Sequence, residues 1–170
     1  MFSVSCYNDF MKKSIYLILD NIRSLYNIGS MFRTADAFGI EKIYLCGISA
    51  YPPNRQMEKI VKTSLGAEKI VPWEYHKQAL RLIKDLKSHG VKIIALENNV
   101  GAYCNTPLQK YKPTYPLVLI VGNEVKGINQ NILKIADRII YIPMSGKKES
   151  LNVAVACAIA MYFHSAFKSG

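Results

Sequence analysis

Apolar and polar positions alternate between two patterns along the chain. Short, nearly continuous apolar runs stand at 14–20 (SIYLILD), 41–47 (EKIYLCG), 91–97 (VKIIALE), 116–122 (PLVLIVG) and 138–144 (RIIYIPM). Their brevity and β-branched content predict strands, the 116–122 run being buried on both faces. Between them, apolar residues recur at helical spacing over 27–38 and 76–90, with Gly39 and Gly90 as C-terminal stops. Shorter helices are expected at 56–63 and 129–136, a strand near 70–73, and a proline loop at ISAYPPNR (48–55). Such alternation predicts an α/β domain with a mostly parallel sheet and helices on both faces. Ligands bind such sheets where loops leave the C-terminal strand ends, here after Asp20, Glu97, Gly122 and Met144.

The last element, inside GKKESLNVAVACAIAMYF (146–163), is rich in Ala and Met and free of Gly and Pro after Gly146, which predicts a helix. From Val153 to Ile159 it is apolar on every side, so it needs cover all round: core on one side, a second subunit on the other. Its head is polar. Ser150 is expected to cap it, with Glu149 favouring the positive helix end, and Asn152 falls in the first turn. Val153 stands three residues after Ser150, so no capping box forms.

Composition narrows the class. With 170 residues, half of them hydrophobic, the chain reads as one folded domain over 1–170, with 1–13 an N-terminal extension. The apolar run 153–163 is too short for a bilayer, which takes about 20 residues. The run at 15–19, closed by Asp20, is too short for a signal peptide. A cytoplasmic protein without membrane contact is expected. Cys6, Cys46, Cys104 and Cys157 form no C-x-x-C pair and the three histidines are scattered, so neither a metal site nor a disulfide framework is suggested. Twenty-two Lys and Arg against twelve Asp and Glu give +10, a balance that suits a polyanion. The lysines are dispersed (Lys59, Lys62, Lys69, Lys77, Lys84, Lys87), which favours a folded surface over a basic tail.

Candidate chemistry lies in three stretches. In NIGSMFRTADAFG (27–39), Ile28, Met31, Phe32, Ala35 and Phe38 form a packing face, with Asn27, Ser30, Arg33 and Thr34 roughly opposite; Asn27 is placed to cap the helix. In LVLIVGNEVKGI (117–128) the spacing G-x-x-x-x-G is not a P-loop, because Ile128 and Asn129 follow where Lys and Ser/Thr are required. What remains is a glycine permitting close backbone approach and an acid, Glu124, at the tip of a buried strand. The third stretch is the polar head of the last helix.

In this order, N-x-G-x-x-x-R (27–33), G-N-E-x-x-G-I (122–128) and I-P-M-x-G-x-x-E-S-L-N (142–152) resemble the three signature motifs of the SpoU family, RNA ribose 2′-O-methyltransferases of the SPOUT class. KTSLGAEKIVPW (62–73) also resembles the family's middle segment, Val125 stands where many members carry Gly, and no separate RNA-binding domain is expected where many members carry one at the N-terminus. The resemblance implies a C-terminal trefoil knot and S-adenosylmethionine held by Leu96, Glu97, Val121, Gly122, Asn123, Ile142, Met144 and Leu151. It implies catalytic positions at Arg33, Asn27, Glu124, Ser150 and Asn152, with no metal. Arg33 matches the family's catalytic arginine; a guanidinium stays protonated, so gripping a phosphate and stabilising a developing alkoxide suits it better than a base role. The partners implied are tRNA or rRNA and a second copy of the chain through the last helix. Rival readings are an RNA binder of this fold without methyl transfer and an enzyme that methylates an RNA base; a DNA-binding regulator lacks a recognition-helix module.

Overall fold

The computed structural model describes residues 14–51, 57–98 and 105–168. Expectations for 1–13, Cys6 and Cys104 lie outside the described residues. In chain order the elements are β1 Ile15–Asp20, α1 Leu25–Ala37, β2 Lys42–Cys46, α2 Met57–Ser64, α3 Ala67–Ile70, β3 Trp73–His76 and α4 Ala79–Ser88. There follow β4 Lys92–Leu96, β5 Asn105–Pro107, a 3-10 turn at Leu108–Lys110, β6 Leu117–Val121, α5 Gln130–Ile135, β7 Arg138–Tyr141 and α6 Val153–Lys168.

The seven strands form one sheet in the order β3-β2-β1-β6-β4-β7-β5, and every pairing is parallel. The expected parallel α/β architecture with two covered faces is therefore present. Strand alternation sends Ile15, Leu17, Leu19, Leu117, Leu119 and Val121 to one face, under Met31 and Phe32 of α1, Ile60 of α2 and Cys157 and Met161 of α6. Ile18, Val118, Ile120, Ile93 and Ala95 face the other way, against Leu82 and Ile83 of α4 and Ile132 and Leu133 of α5. Burial from both sides is why β1 and β6 read as unbroken apolar runs. Because the strands are parallel, their C-terminal ends, and the loops that leave them, share one edge of the sheet.

Several expected boundaries move. Residues 67–70 form one helical turn opened by Gly66 in the left-handed region (φ 95°), and the strand begins only at Trp73, after Pro72. A four-residue apolar stretch cannot distinguish the two by period. His76 belongs to β3, paired with Cys46, so α4 starts at Ala79. The edge strand β5 was not foreseen; three residues ending in proline carry no period. β7 stops at Tyr141, leaving 142–144 as loop.

Helix α6 starts at Val153, later than its polar head suggests. Asn152 is its cap: Asn152 Oδ1 accepts from Ala154 N at 2.9 Å and Val155 N at 3.4 Å. Ser150 was expected there, but it lies two residues before the cap. One side of α6, with Ala154, Cys157, Ala160, Met161 and His164, is buried, and His164 Nδ1 donates to Ala160 O at 2.6 Å. The other side leaves Val155, Ile159 and Tyr162 at 49%, 39% and 62% exposure. The inner half of the all-round apolar helix is thus covered within the chain and the outer half is open. Cys46 and Cys157 are buried free thiols; burial, then the Asp20 carboxylate, pushes Cys46 up to about 12, and burial also raises Cys157. Neither is a nucleophile at neutral pH.

Candidate active site

The turn after β6 is built by its own side chains. Asn123 Oδ1 accepts from Val125 N and Lys126 N at 3.0 and 2.9 Å, while Asn123 Nδ2 donates to Asn21 O at 2.8 Å. The two glycines of G-N-E-x-x-G are sterically required. A Cβ on Gly122 would meet Gly127 and Ile128 backbone atoms at 2.6 Å, and Gly127 sits at φ 68° with Glu97 Oε2 where its Cβ would be. Glu97 joins this turn to the end of β4, accepting from Ile128 N at 2.9 Å and Asn98 N at 3.0 Å.

The turn presents Glu124 to the start of α1. Glu124 Oε2 accepts from Arg23 N at 3.0 Å; Glu124 Oε1 accepts from Ser24 N at 3.0 Å and from Asn27 Nδ2 at 3.2 Å. Partial burial pushes the carboxyl up, but the Arg23 and Ser24 amides, with Asn27, outweigh it and hold Glu124 below its ordinary range. The cap of α1 is Ser24, not Asn27 as expected: Ser24 Oγ accepts from Asn27 N, and Asn27 lies in the first turn. That frees the Asn27 side chain to bridge. Its Oδ1 accepts from Asn152 Nδ2 at 3.2 Å, so Asn152, Asn27 and Glu124 form one chain joining three segments far apart in sequence.

This chain borders a cavity of about 670 Å³ at the C-terminal ends of β4 and β6. Its wall includes Leu96, Glu97, Val121, Gly122, Asn123 and Leu151 from the expected cofactor set, together with Glu124, Ser150 and Asn152. Ile142 and Met144, expected there, are not part of that wall. Ile142 is one step removed, its N–H donating to Asn98 Oδ1 at 3.2 Å. Arg33 is exposed on α1, also outside the wall.

Sequence reasoning missed Asn98 and Ser24. Asn98 lines the cavity and donates from Nδ2 to Ile142 O at 3.0 Å and Glu149 O at 3.4 Å, tying the loop after β4 to the segment leading into α6. Two asparagines directly after a buried strand were the available signal. Among the described residues no cluster of His, Cys, Asp and Glu could hold a metal, and no helix is long and apolar enough to cross a membrane.

The cavity suits a nucleoside-sized group. Its volume lies within the roughly 300–1,000 Å³ of ligand pockets, and Leu96, Val121, Leu151, Val153 and Ala156 give apolar surface beside the polar Asn98 and Asn123.

Comparison with known proteins gives consistent relationships. Residues 14–162 match the SpoU rRNA Methylase family. The chain is 34% identical over 146 residues to the 23S rRNA (guanosine(2553)-2'-O)-methyltransferase RlmP of Bacillus subtilis (strain 168), covering 86% of this chain and 56% of that protein. It is 32% identical over 152 residues to the tRNA (guanosine(18)-2'-O)-methyltransferase of Aquifex aeolicus (strain VF5), covering 89% of this chain and 68% of that one. The fold matches the AdoMet-bound rRNA methyltransferase from Sinorhizobium meliloti with a TM-score of 0.80 at 26% identity, over 90% of this chain and 56% of that one. The chain therefore spans little more than half the length of the Bacillus relative.

Proposed function

The chain belongs to the SpoU rRNA Methylase family, and from that premise we propose that it is an S-adenosylmethionine-dependent methyltransferase acting on a ribose 2′-hydroxyl of tRNA or rRNA. The observation that carries this reading is the Asn152–Asn27–Glu124 chain at the rim of a nucleoside-sized cavity.

S-adenosylmethionine, when bound, supplies an electrophilic methyl group and its own leaving group, so the protein's task is positioning. Leu96, Val121 and Leu151 would cover the adenine faces, and Asn98 and Asn123 stand beside them in the wall. Glu97 and the glycine pair keep the loops after β4 and β6 close enough to form that wall. Ile142, behind Asn98, and Met144 would contribute from the loop after β7. Glu124 locks the start of α1 to the β6 turn, which fixes where that helix points. Arg33, exposed on the same helix, would grip a phosphate of the RNA and stabilise charge on the ribose oxygen. Ser150, exposed on the wall, would orient the ribose.

The reading includes a homodimer formed by the open face of α6, where Val155, Ile159 and Tyr162 make an apolar patch on an ordered helix. It also includes a trefoil knot, carried over from the family, and a cytoplasmic location, where tRNA and rRNA would be met.

The test incubates the protein with methyl-labelled S-adenosylmethionine and unmodified tRNA and rRNA pools, beside Arg33→Ala, and identifies labelled nucleosides by mass. A 2′-O-methylnucleoside from the wild type, absent with the variant, supports the reading. The variant should bind the cofactor within about twofold of wild type by calorimetry, since Arg33 lies outside the cavity wall. Label on a base would refute the ribose assignment, and no cofactor binding by the wild type would leave an RNA binder.

A further inference from the structure

A second concavity, of about 800 Å³, lies beside the outermost strand β3, where it passes into α4. It is lined by His76, Lys77, Arg81, Lys84 and Asp85, so three cations face a single carboxylate. Arg81, Lys84 and Asp85 are spaced i, i+3, i+4 on the exposed side of α4, whose inner side is held by Ala79, Leu82 and Ile83. Lys77, Arg81 and Lys84 form no ion pair among the described residues. The neighbouring acid, Glu74, is already occupied by Lys42 at 2.7 Å and His76 at 3.3 Å, so it does not cancel them.

Three unpaired cations in one groove repel each other and remain hydrated unless a polyanion neutralises them. The groove also opens on the C-terminal edge of the sheet, the same edge as the first cavity, because all seven strands are parallel. From β6 to β3 there are three inter-strand steps, about 14 Å at ~4.8 Å each along the sheet, and α4 packs on the face opposite α1 and α6, so the groove lies farther than that from the first cavity.

We propose that this groove is a phosphodiester-binding track for the substrate RNA, holding its backbone away from the reacting ribose through Lys77, Arg81 and Lys84. The inference rests on the RNA reading above and adds the surface that reading lacked. A phosphate-only track positions RNA without reading its sequence.

The experiment measures fluorescence anisotropy of a labelled, mixed-sequence single-stranded RNA of about 20 nucleotides between about 50 and 200 mM KCl, the range over which phosphate contacts are most salt-sensitive. Wild type is compared with Lys77→Ala/Arg81→Ala/Lys84→Ala and with Lys92→Ala/Lys134→Ala, exposed cations toward the other end of the sheet. All five positions are exposed, so thermal stability should hardly move. Removing three phosphate contacts from a single strand should make the slope of log affinity against log salt shallower by about 2, and weaken binding at low salt about tenfold or more. The Lys92/Lys134 variant should keep the wild-type slope, and calorimetry should give the same cofactor affinity throughout. Equal slopes in wild type and triple variant would overturn the track and leave the methyltransferase reading standing, as would equal losses from both variants. Loss confined to the groove in a protein that binds no cofactor would uphold the track and overturn methyl transfer. A wild type that binds no RNA would overturn both.

Discussion

Asn27 Nδ2 donates to Glu124 Oε1 at 3.2 Å, joining residues 97 positions apart and fastening the first turn of α1 to the turn after β6. The same carboxylate accepts the Arg23 and Ser24 amides, so one side chain satisfies two donors at a helix start and the Asn27 side-chain amide together. The helix that carries Arg33 is thereby aimed by a residue of the second motif.

This arrangement makes Glu124 a source of acid sensitivity. Its folded pKa is lowered from 4.5, so the unfolded chain binds more protons in the acid window. Stability from Glu124 is complete above pH 4.5 and is lost as the pH falls through the lowered folded value. Glu74 and Asp137 are lowered as well, so wild type alone would mix several groups. Urea unfolding of wild type and Glu124→Gln at a series of pH values isolates one of them: the variant should show a shallower loss below pH 4.5, and parallel curves would contradict the assignment.

Asn152 has two jobs that substitution can separate. Asn152→Ala removes the cap of α6 and should cost about 1 kcal/mol in thermal or urea unfolding. Asn152→Asp keeps an oxygen for Ala154 N but loses the Nδ2 donor to Asn27. It should fold nearly as well as wild type while methyl transfer falls at least about tenfold, the loss of one hydrogen bond used in positioning. Full activity in Asn152→Asp would remove the asparagine chain from the mechanism.

Gly29 lies where α1 packs against Ile60 and Thr63 of α2. A Cβ there would run into Thr63 Oγ1 and Ile60 O, the first of which already donates to Tyr26 O at 3.2 Å. Because one obstacle is backbone, the helices must separate, and Gly29→Ala should cost about 1–3 kcal/mol in spite of alanine's better helix propensity. Denaturant midpoints decide it: unchanged or raised stability would mean that the crossing adjusts freely.

The open face of α6 should be covered by a second copy of the chain. Ile159→Glu places a charge in the centre of the Val155–Ile159–Tyr162 patch, and light scattering at micromolar concentration should show a dimer becoming a monomer. A monomeric wild type would sink the dimer outright.

Much of the architecture was legible because it depends on period alone. Buried parallel strands must be continuously apolar and their crossover helices one-sided, so β1, β4, β6, α1 and α4 could be placed within a few residues. The site residues were legible only as motifs. Asn27 and Ser150 looked like caps because capping is the common use of such residues, yet Ser24 and Asn152 do that work. Asn98 left no periodic trace at all.

By itself the sequence determined the α/β class, the identity of the polar residues in three motifs and a surplus of positive charge. Only the tertiary structure decided that Asn152, Asn27 and Glu124 touch, that Ile142 stands behind Asn98, and that Lys77, Arg81 and Lys84 share one groove. The physical reason is the range of the forces involved. Hydrophobic period acts over one turn or one strand and is written locally, whereas hydrogen bonds of about 3 Å and the convergence of charges depend on strand order, which here runs β1, β6, β4, β7 and not in sequence.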